Sequence, residues 1–186
     1  MAAQRTLVGM REAPPPRFCT IEAMIRPATT ADAEAIYELL YAARDEIPLR
    51  RIAAEPREVW LDDRIPKWCA YDRSLVAELD GEVVSVIIVV PRMHSTTGDG
   101  VVLLSEWELL YATTREDYRG KILFEGKRLF DALLDKAVEP FETVYAEVAP
   151  GNTSKMAERL PLRGFKEEAR SENGTIEFKL TRGIGG

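Results

Sequence analysis

The stretch EDYRGKILFEGKRLFDALLDKA, residues 116–137, sets a basic, turn-forming start in front of a run with helical spacing. Arg119-Gly120-Lys121 reads as a tight turn suited to phosphate, because main-chain N–H groups at the start of a helix converge on an anion. Three bulky residues, Ile122, Leu123 and Phe124, then stand where such a turn usually takes glycine. Leu123, Phe130, Leu134 and Ala137 fall on one helical stripe with Leu129 and Leu133 beside it, which predicts an amphipathic helix through the stretch. These residues alone allow both a phosphate cradle with large side chains and an ordinary helix with a basic first turn.

Upstream, MIRPA predicts a short strand and TTAD at 29–32 a capping box leading into AEAIYELLYAARDE, where Ile36, Leu39, Leu40 and Ala43 make one apolar face. PREVWLDDRIPKWCAY predicts a second helix, interrupted at Pro66. Two strands follow around an Asp80-Gly81 turn, then a loop over 92–100 and a long strand, VVLLSEWELLYATT. Downstream, FETVYAEVA predicts a strand, NTSKMAERL a short helix capped by Asn152, and FKEEA and GTIEFKLT two closing strands.

The chain has 186 residues, enough for one domain with a real core. Residues 1–23, with a proline triplet and no periodicity, read as a flexible leader; 24–186 read as the domain. A net charge of −6 speaks against a nucleic-acid partner and suits a cationic substrate better. The longest apolar run, VVSVIIVV at 83–90, is far short of the roughly 20 residues that span a bilayer. With no targeting signal, the expectation is a cytoplasmic protein. Cys19, Cys69 and the single His94 form no metal-ligand spacing, so neither a metal site nor a disulfide framework is expected.

The element order, with RPATTADAEAIYELL at the start, YRGK between a long strand and a helix, and N…RGF near the end, resembles the GNAT superfamily of N-acetyltransferases over about residues 24–182. The resemblance implies an α/β (α+β) fold with a mixed, mostly antiparallel central sheet flanked by helices, and acetyl-CoA as acetyl donor. In that family V-x-P-x-x-[QR]-x-x-G-x-[GA] follows the fourth strand, and its main-chain amides bind the cofactor's diphosphate. The motif maps onto Arg119, Gly120, Lys121, Ile122, Leu123 and Phe124, with Glu116 in place of the proline and Ile122 and Phe124 in place of small residues. Asn152 matches a cofactor-binding asparagine, Gly164-Phe165 match the closing pair, and Leu160, followed by Pro161, takes the position of a tyrosine that can protonate the departing thiolate. By the same resemblance, Ala112, Thr113 and Thr114 offer main-chain groups to the pantetheine arm where the fourth and fifth strands splay.

Acetyl transfer to an amine needs a base, because amines arrive protonated at neutral pH. Glu106 and Glu108 are two apart on the long strand, so they share a face, and closely paired carboxylates raise one pKa toward neutrality. Glu106 lies thirteen residues before Arg119, a spacing similar to that of the base in the histone-modifying branch; Glu147, five before Asn152, matches a base of some ribosomal-protein N-terminal acetyltransferases. Tyr111 and Tyr145 are candidate proton donors. Acceptor selection is expected at 44–73 and 92–100, with a small-molecule or protein amine as acceptor and a homodimer common in the family. The competing expectation is a catalytically silent GNAT-fold protein that senses acyl-CoA or serves as an interaction module.

Overall fold

The computed structural model describes residues 23–47, 49–95 and 102–182. The expected leader therefore lies, apart from Ala23, outside the described residues, as do Cys19 and most of the expected 92–100 loop. Strand β1 (Ala23–Pro27) is followed by α1 (Ala33–Ala42), α2 (Arg50–Ala54), α3 (Arg57–Val59), a π turn (Trp60–Arg64) and α4 (Ile65–Ala70). Then come β2 (Leu75–Leu79), β3 (Glu82–Ser95), β4 (Val102–Thr114), β5 (Ile122–Phe124), β6 (Lys127–Arg128) and α5 (Leu129–Val138). The chain closes with β7 (Thr143–Val148), α6 (Met156–Arg159), β8 (Lys166–Arg170) and β9 (Ile176–Thr181). The main sheet runs β1-β2-β3-β4-β7-β9-β8, antiparallel throughout except where β4 meets β7 in parallel; β5 and β6 form a separate hairpin. This is the mixed, mostly antiparallel architecture expected from the sequence.

Period-2 alternation gives the sheet two apolar faces. On one, Leu129, Leu133 and Leu134 of α5 pack over Ile87, Val89 and Val144. On the other, Ile36 and Leu40 of α1 and Ile65 of α4 pack over Val76, Val86 and Ile88. The stripe expected on α1 is buried as a unit, Ile36 and Leu40 completely. The β2–β3 turn closes on Asp80 and Gly81, both at positive φ (50° and 85°), as a two-residue hairpin demands.

Four local expectations are corrected. Helix α5 begins at Leu129, not near Lys121, because Glu125 and Gly126 take positive φ (46° and 76°) and fold the preceding residues into a hairpin, so Leu123 sits on a strand. Pro66 does not break its helix. It is accommodated within α4's first turn, directly after a π turn whose wider spiral relieves the lost N–H bond and the ring clash. Asn152 does not cap α6; its Oδ1 instead accepts the Ser154 amide (2.9 Å) and hydroxyl (2.5 Å), and Lys155 takes the cap position. Strand β3 also runs on to Ser95, into the expected loop. Among the described residues no helix is long and apolar enough to cross a membrane.

The start of α1 is pinned by charge. The Asp32 carboxylate, 7% exposed, accepts both Arg26 terminal nitrogens and the Thr29 amide, each at 2.8 Å. The Arg26 guanidinium holds its pKa below the usual carboxylate range, outweighing the burial that would raise it. A depressed carboxyl pKa stabilises the fold above the unfolded value and ceases to do so as pH falls through the folded one. Asp32→Ala is expected to cost about 2 kcal/mol in urea unfolding at neutral pH. The difference from the parent protein should shrink below about pH 4, where the parent loses the same contribution.

Candidate active site

The register between β3 and β4 slips in two places, and the one nearer the end of β4 shapes the site: Ile88 opposes Tyr111 and Val89 opposes Leu109, which leaves Leu110 unopposed as a β-bulge. The extra residue breaks the alternation. Leu110 and Tyr111 both pack toward α1 and α4, while Leu109 and Ala112 face α5. The parallel pairing of β4 with β7 covers Trp107–Val144, Glu108–Tyr145 and Leu109–Ala146 and goes no further. Past that point lies a cleft of about 270 Å³, walled by Tyr111, Ala112, Val148, Met156 and Leu160. A second hollow of about 320 Å³ adjoins it, sharing Ile47, Ala112 and Met156. On the wall of the second hollow the Thr153 amide donates to the Glu46 carbonyl (3.0 Å), tying the β7–α6 loop to the segment after α1.

Main-chain direction along β4 follows from the Arg115 amide, which donates to Val84 of β3 (2.8 Å). By strand alternation Thr113 also turns its main chain toward β3, and its carbonyl accepts the Ser85 hydroxyl (2.9 Å). Ala112 and Thr114 therefore point the other way, into the splay. The Thr114 carbonyl is taken by Arg119 Nε (2.9 Å).

Before the bulge, Glu106 and Glu108 share the face opposite α5 with Tyr145 and Glu147 of β7. The Tyr145 hydroxyl donates to Glu106 (3.0 Å), and the Arg92 guanidinium lies 3.9 Å above the Tyr145 ring while pairing with Glu177 of β9. Glu108 and Glu147 line the cleft. Burial raises the Glu108 pKa first and the Glu147 charge raises it further, with Arg92 pulling it back. The like charge pressing on Glu108 thus comes from Glu147 across the strand pair, rather than from Glu106 as the sequence spacing implied. Tyr111, also on the cleft wall, has its pKa raised by burial and keeps its proton. Its ring packs against Trp68 (5.6 Å between centroids), which in turn meets Trp60 (5.9 Å).

The stretch 119–124 is shaped differently from a helical phosphate turn. The Arg119 amide donates to Glu116 O (3.1 Å) and the Lys121 amide to Tyr118 O (3.3 Å). Gly120, at φ 75°, carries the turn, and the Leu129 amide that opens α5 reaches back to Lys121 O (3.4 Å). Ile122 is 66% exposed, while Leu123 and Phe124 pack partly on the core beside α5. An acyl-CoA arm thus fits the splay, through the Ala112 main chain and the apolar walls. A diphosphate does not find the Arg119 and Lys121 amides open to it.

Of the residues singled out in the sequence, Glu108, Ala112, Glu147 and Asn152 meet at the first cleft, and Thr113, Thr114 and Arg119 at the adjoining hollow. Gly120, Lys121, Ile122, Leu123 and Phe124 line neither, and Glu106 stands ahead of the first β4–β7 pair, bonded to Tyr145. Sequence reasoning missed Ile47 and Met156 at the junction and the bulge at Leu110. It also missed Lys155 and Arg159, whose i, i+4 spacing in SKMAER was the available signal. A larger hollow, about 810 Å³, opens between α1 and the β2–β3 turn, but its Arg26, Asp32, Glu82 and Arg115 are already paired with one another.

No protein-family profile and no curated protein matches the chain significantly. Solved structures do match in fold. The PaiA N-acetyltransferase of Thermoplasma acidophilum, in complex with coenzyme A, is 17% identical with a TM-score of 0.60, covering 87% of this chain and 99% of its own. The histone acetyltransferase HPA2-related acetyltransferase of Corynebacterium glutamicum is 20% identical with a TM-score of 0.61, covering 88% and 98%. The yncA protein of Salmonella typhimurium, with its cofactor acetyl-CoA, is 20% identical with a TM-score of 0.58, covering 88% and 95%. The fold of this chain is therefore the one shared by GNAT-family acetyltransferases.

Gly126→Ala distinguishes the hairpin from a helix at 122–128. In a helix the change would stabilise the protein by about 1 kcal/mol. At φ 76° it is expected to destabilise by about 1 kcal/mol, read as a lower urea midpoint at unchanged slope.

Proposed function

We propose that this protein is an acetyltransferase that passes an acetyl group from acetyl-CoA directly to an amine of a small molecule or protein. The observation that carries the reading is the bulge-driven splay of β4 from β7, with the Ala112 main chain facing into it and Glu108 on its wall. Two fold neighbours hold coenzyme A or acetyl-CoA. Acetyl-CoA, when bound, supplies the acetyl group as an activated thioester. The Ala112 N–H is the donor placed for charge that develops on an acyl oxygen in the splay.

Glu108 is the base in this reading. Its raised pKa suits a carboxylate that takes a proton from an arriving ammonium, directly or through one water, and Glu147 beside it favours a cationic acceptor. Tyr111, on the same wall and protonated, is the donor in place of the tyrosine for which this chain has the fully buried Leu160. Cys69 takes no part: burial, with the Asp32 charge, pushes its thiol up to about 11 and the Sγ–H donates to Thr29 O (3.4 Å), which favours direct transfer. The alternative, a GNAT-fold protein that senses acyl-CoA or serves as an interaction module, draws support from Leu160 and from the engaged amides of Arg119 and Lys121.

Saturating acetyl-CoA is expected to raise the melting temperature by several degrees, about 2 to 5 °C. No shift would leave the interaction module as the reading. Glu108→Gln is expected to lower kcat about 100-fold with acetyl-CoA affinity unchanged in calorimetry; unchanged turnover would remove Glu108 as the base. Activity should rise with pH as Glu108 ionises. Because Glu147 raises the Glu108 pKa, Glu147→Gln should move the acid limb of kcat/KM to lower pH.

A further inference from the structure

The hollow adjoining the cleft carries an unusual charge for this chain. Its lining holds three cations, Arg119, Lys155 and Arg159, against a single carboxylate, Glu46, on a protein whose net charge is −6. Thr114, Thr153 and Ser154 share the wall. Both arginines are held in place. The Arg159 guanidinium lies 5.2 Å over the Phe130 ring, and Arg119 is anchored through Nε to the Thr114 carbonyl. Lys155 sits at φ 61°, ψ 23°, a left-handed conformation rare for a residue with a side chain, on a loop secured by the Thr153–Glu46 main-chain bond. Strain of this kind persists where the surroundings enforce it, and it clusters at ligand sites. Arg119 Nη1 meets the Glu46 carboxylate at 2.7 Å, an anionic oxygen in the position a phosphate oxygen would take.

We propose that this hollow is a diphosphate site gripped by side-chain charge, with Arg119, Lys155 and Arg159 as its ligands and Glu46 as the resident counter-ion that an arriving phosphate displaces. The proposal rests on the acetyl-CoA reading for its occupant and replaces a main-chain cradle whose Arg119 and Lys121 amides are already engaged by Glu116 O and Tyr118 O. Its geometry suits that reading: the hollow continues the cleft past Ile47, Ala112 and Met156, so an arm lying in the splay would bring its phosphate end there. A grip made by charged side chains is more sensitive to salt and to charge substitution than one made by peptide amides.

Calorimetric titration of the full chain with coenzyme A, with pantetheine (which lacks phosphate) and with inorganic pyrophosphate tests this at low and moderate salt. Lys155→Gly and Arg159→Gln are each expected to weaken coenzyme A about tenfold or more and to leave pantetheine unchanged. Glu46→Gln is expected to tighten coenzyme A and pyrophosphate several-fold by releasing Arg119. Since glycine relieves the left-handed strain, Lys155→Gly should keep or raise the melting temperature while losing affinity, which excludes loss of folding as the cause. Coenzyme A affinity indifferent to all three changes would overturn the site while leaving the cofactor reading intact. Charge-dependent binding of pyrophosphate without binding of coenzyme A would keep the site and remove the cofactor reading, and binding of neither would remove both.

Discussion

A strand with one residue too many cannot keep both of its neighbours in register. Leu110 is such a residue in β4, and it has two effects at once. Side chains that would have alternated fall together, so Leu110 and Tyr111 share the α1 face, and the strand bends away just where its pairing with β7 ends at Leu109 and Ala146. Were β4 and β7 paired to their ends, the Ala112 main chain would be consumed by the ladder and the space between the strands closed. The cleft is thus a product of incomplete pairing, stabilised by packing of both sheet faces on either side of it.

The face of the sheet beside the cleft is polar because α1 and α4 cover only part of it. Glu147 and Glu177 oppose each other directly across β7 and β9, an arrangement that like charges would disfavour without a cation nearby. Arg92 supplies it, reaching over Tyr145 to pair with Glu177. Glu108 lies next to this network and is partly desolvated, so it feels Glu147 as a repulsion and Arg92 as a weaker attraction. Its raised pKa follows from that balance and from burial.

At the other end of the cleft the chain departs from the pattern its sequence resembles. Bulky residues after Arg119-Gly120-Lys121 are accommodated by forming a hairpin, which turns Ile122 outward and delays α5 to Leu129. The turn then satisfies the Arg119 and Lys121 amides internally. Positive side chains from α6 and its entry loop gather at the same end, so an electropositive patch persists where main-chain donors have been withdrawn.

Much of this was legible in the chain because it depends on local rules. Alternation marked the strands, the spacing of Ile36, Leu39, Leu40 and Ala43 marked the buried face of α1, and Asp80-Gly81 marked the hairpin, since each needs only the periodicity or the φ freedom of neighbouring residues. The candidate carboxylates Glu108 and Glu147 could be picked out as well, but not that they press on each other, because strand pairing joins residues far apart in sequence. The bulge at Leu110, the π turn that makes room for Pro66 and the late start of α5 were hidden for a related reason. Each resolves a competition between local propensity and packing against distant elements, and the outcome exists only once the sheet has brought β3, β4 and β7 together.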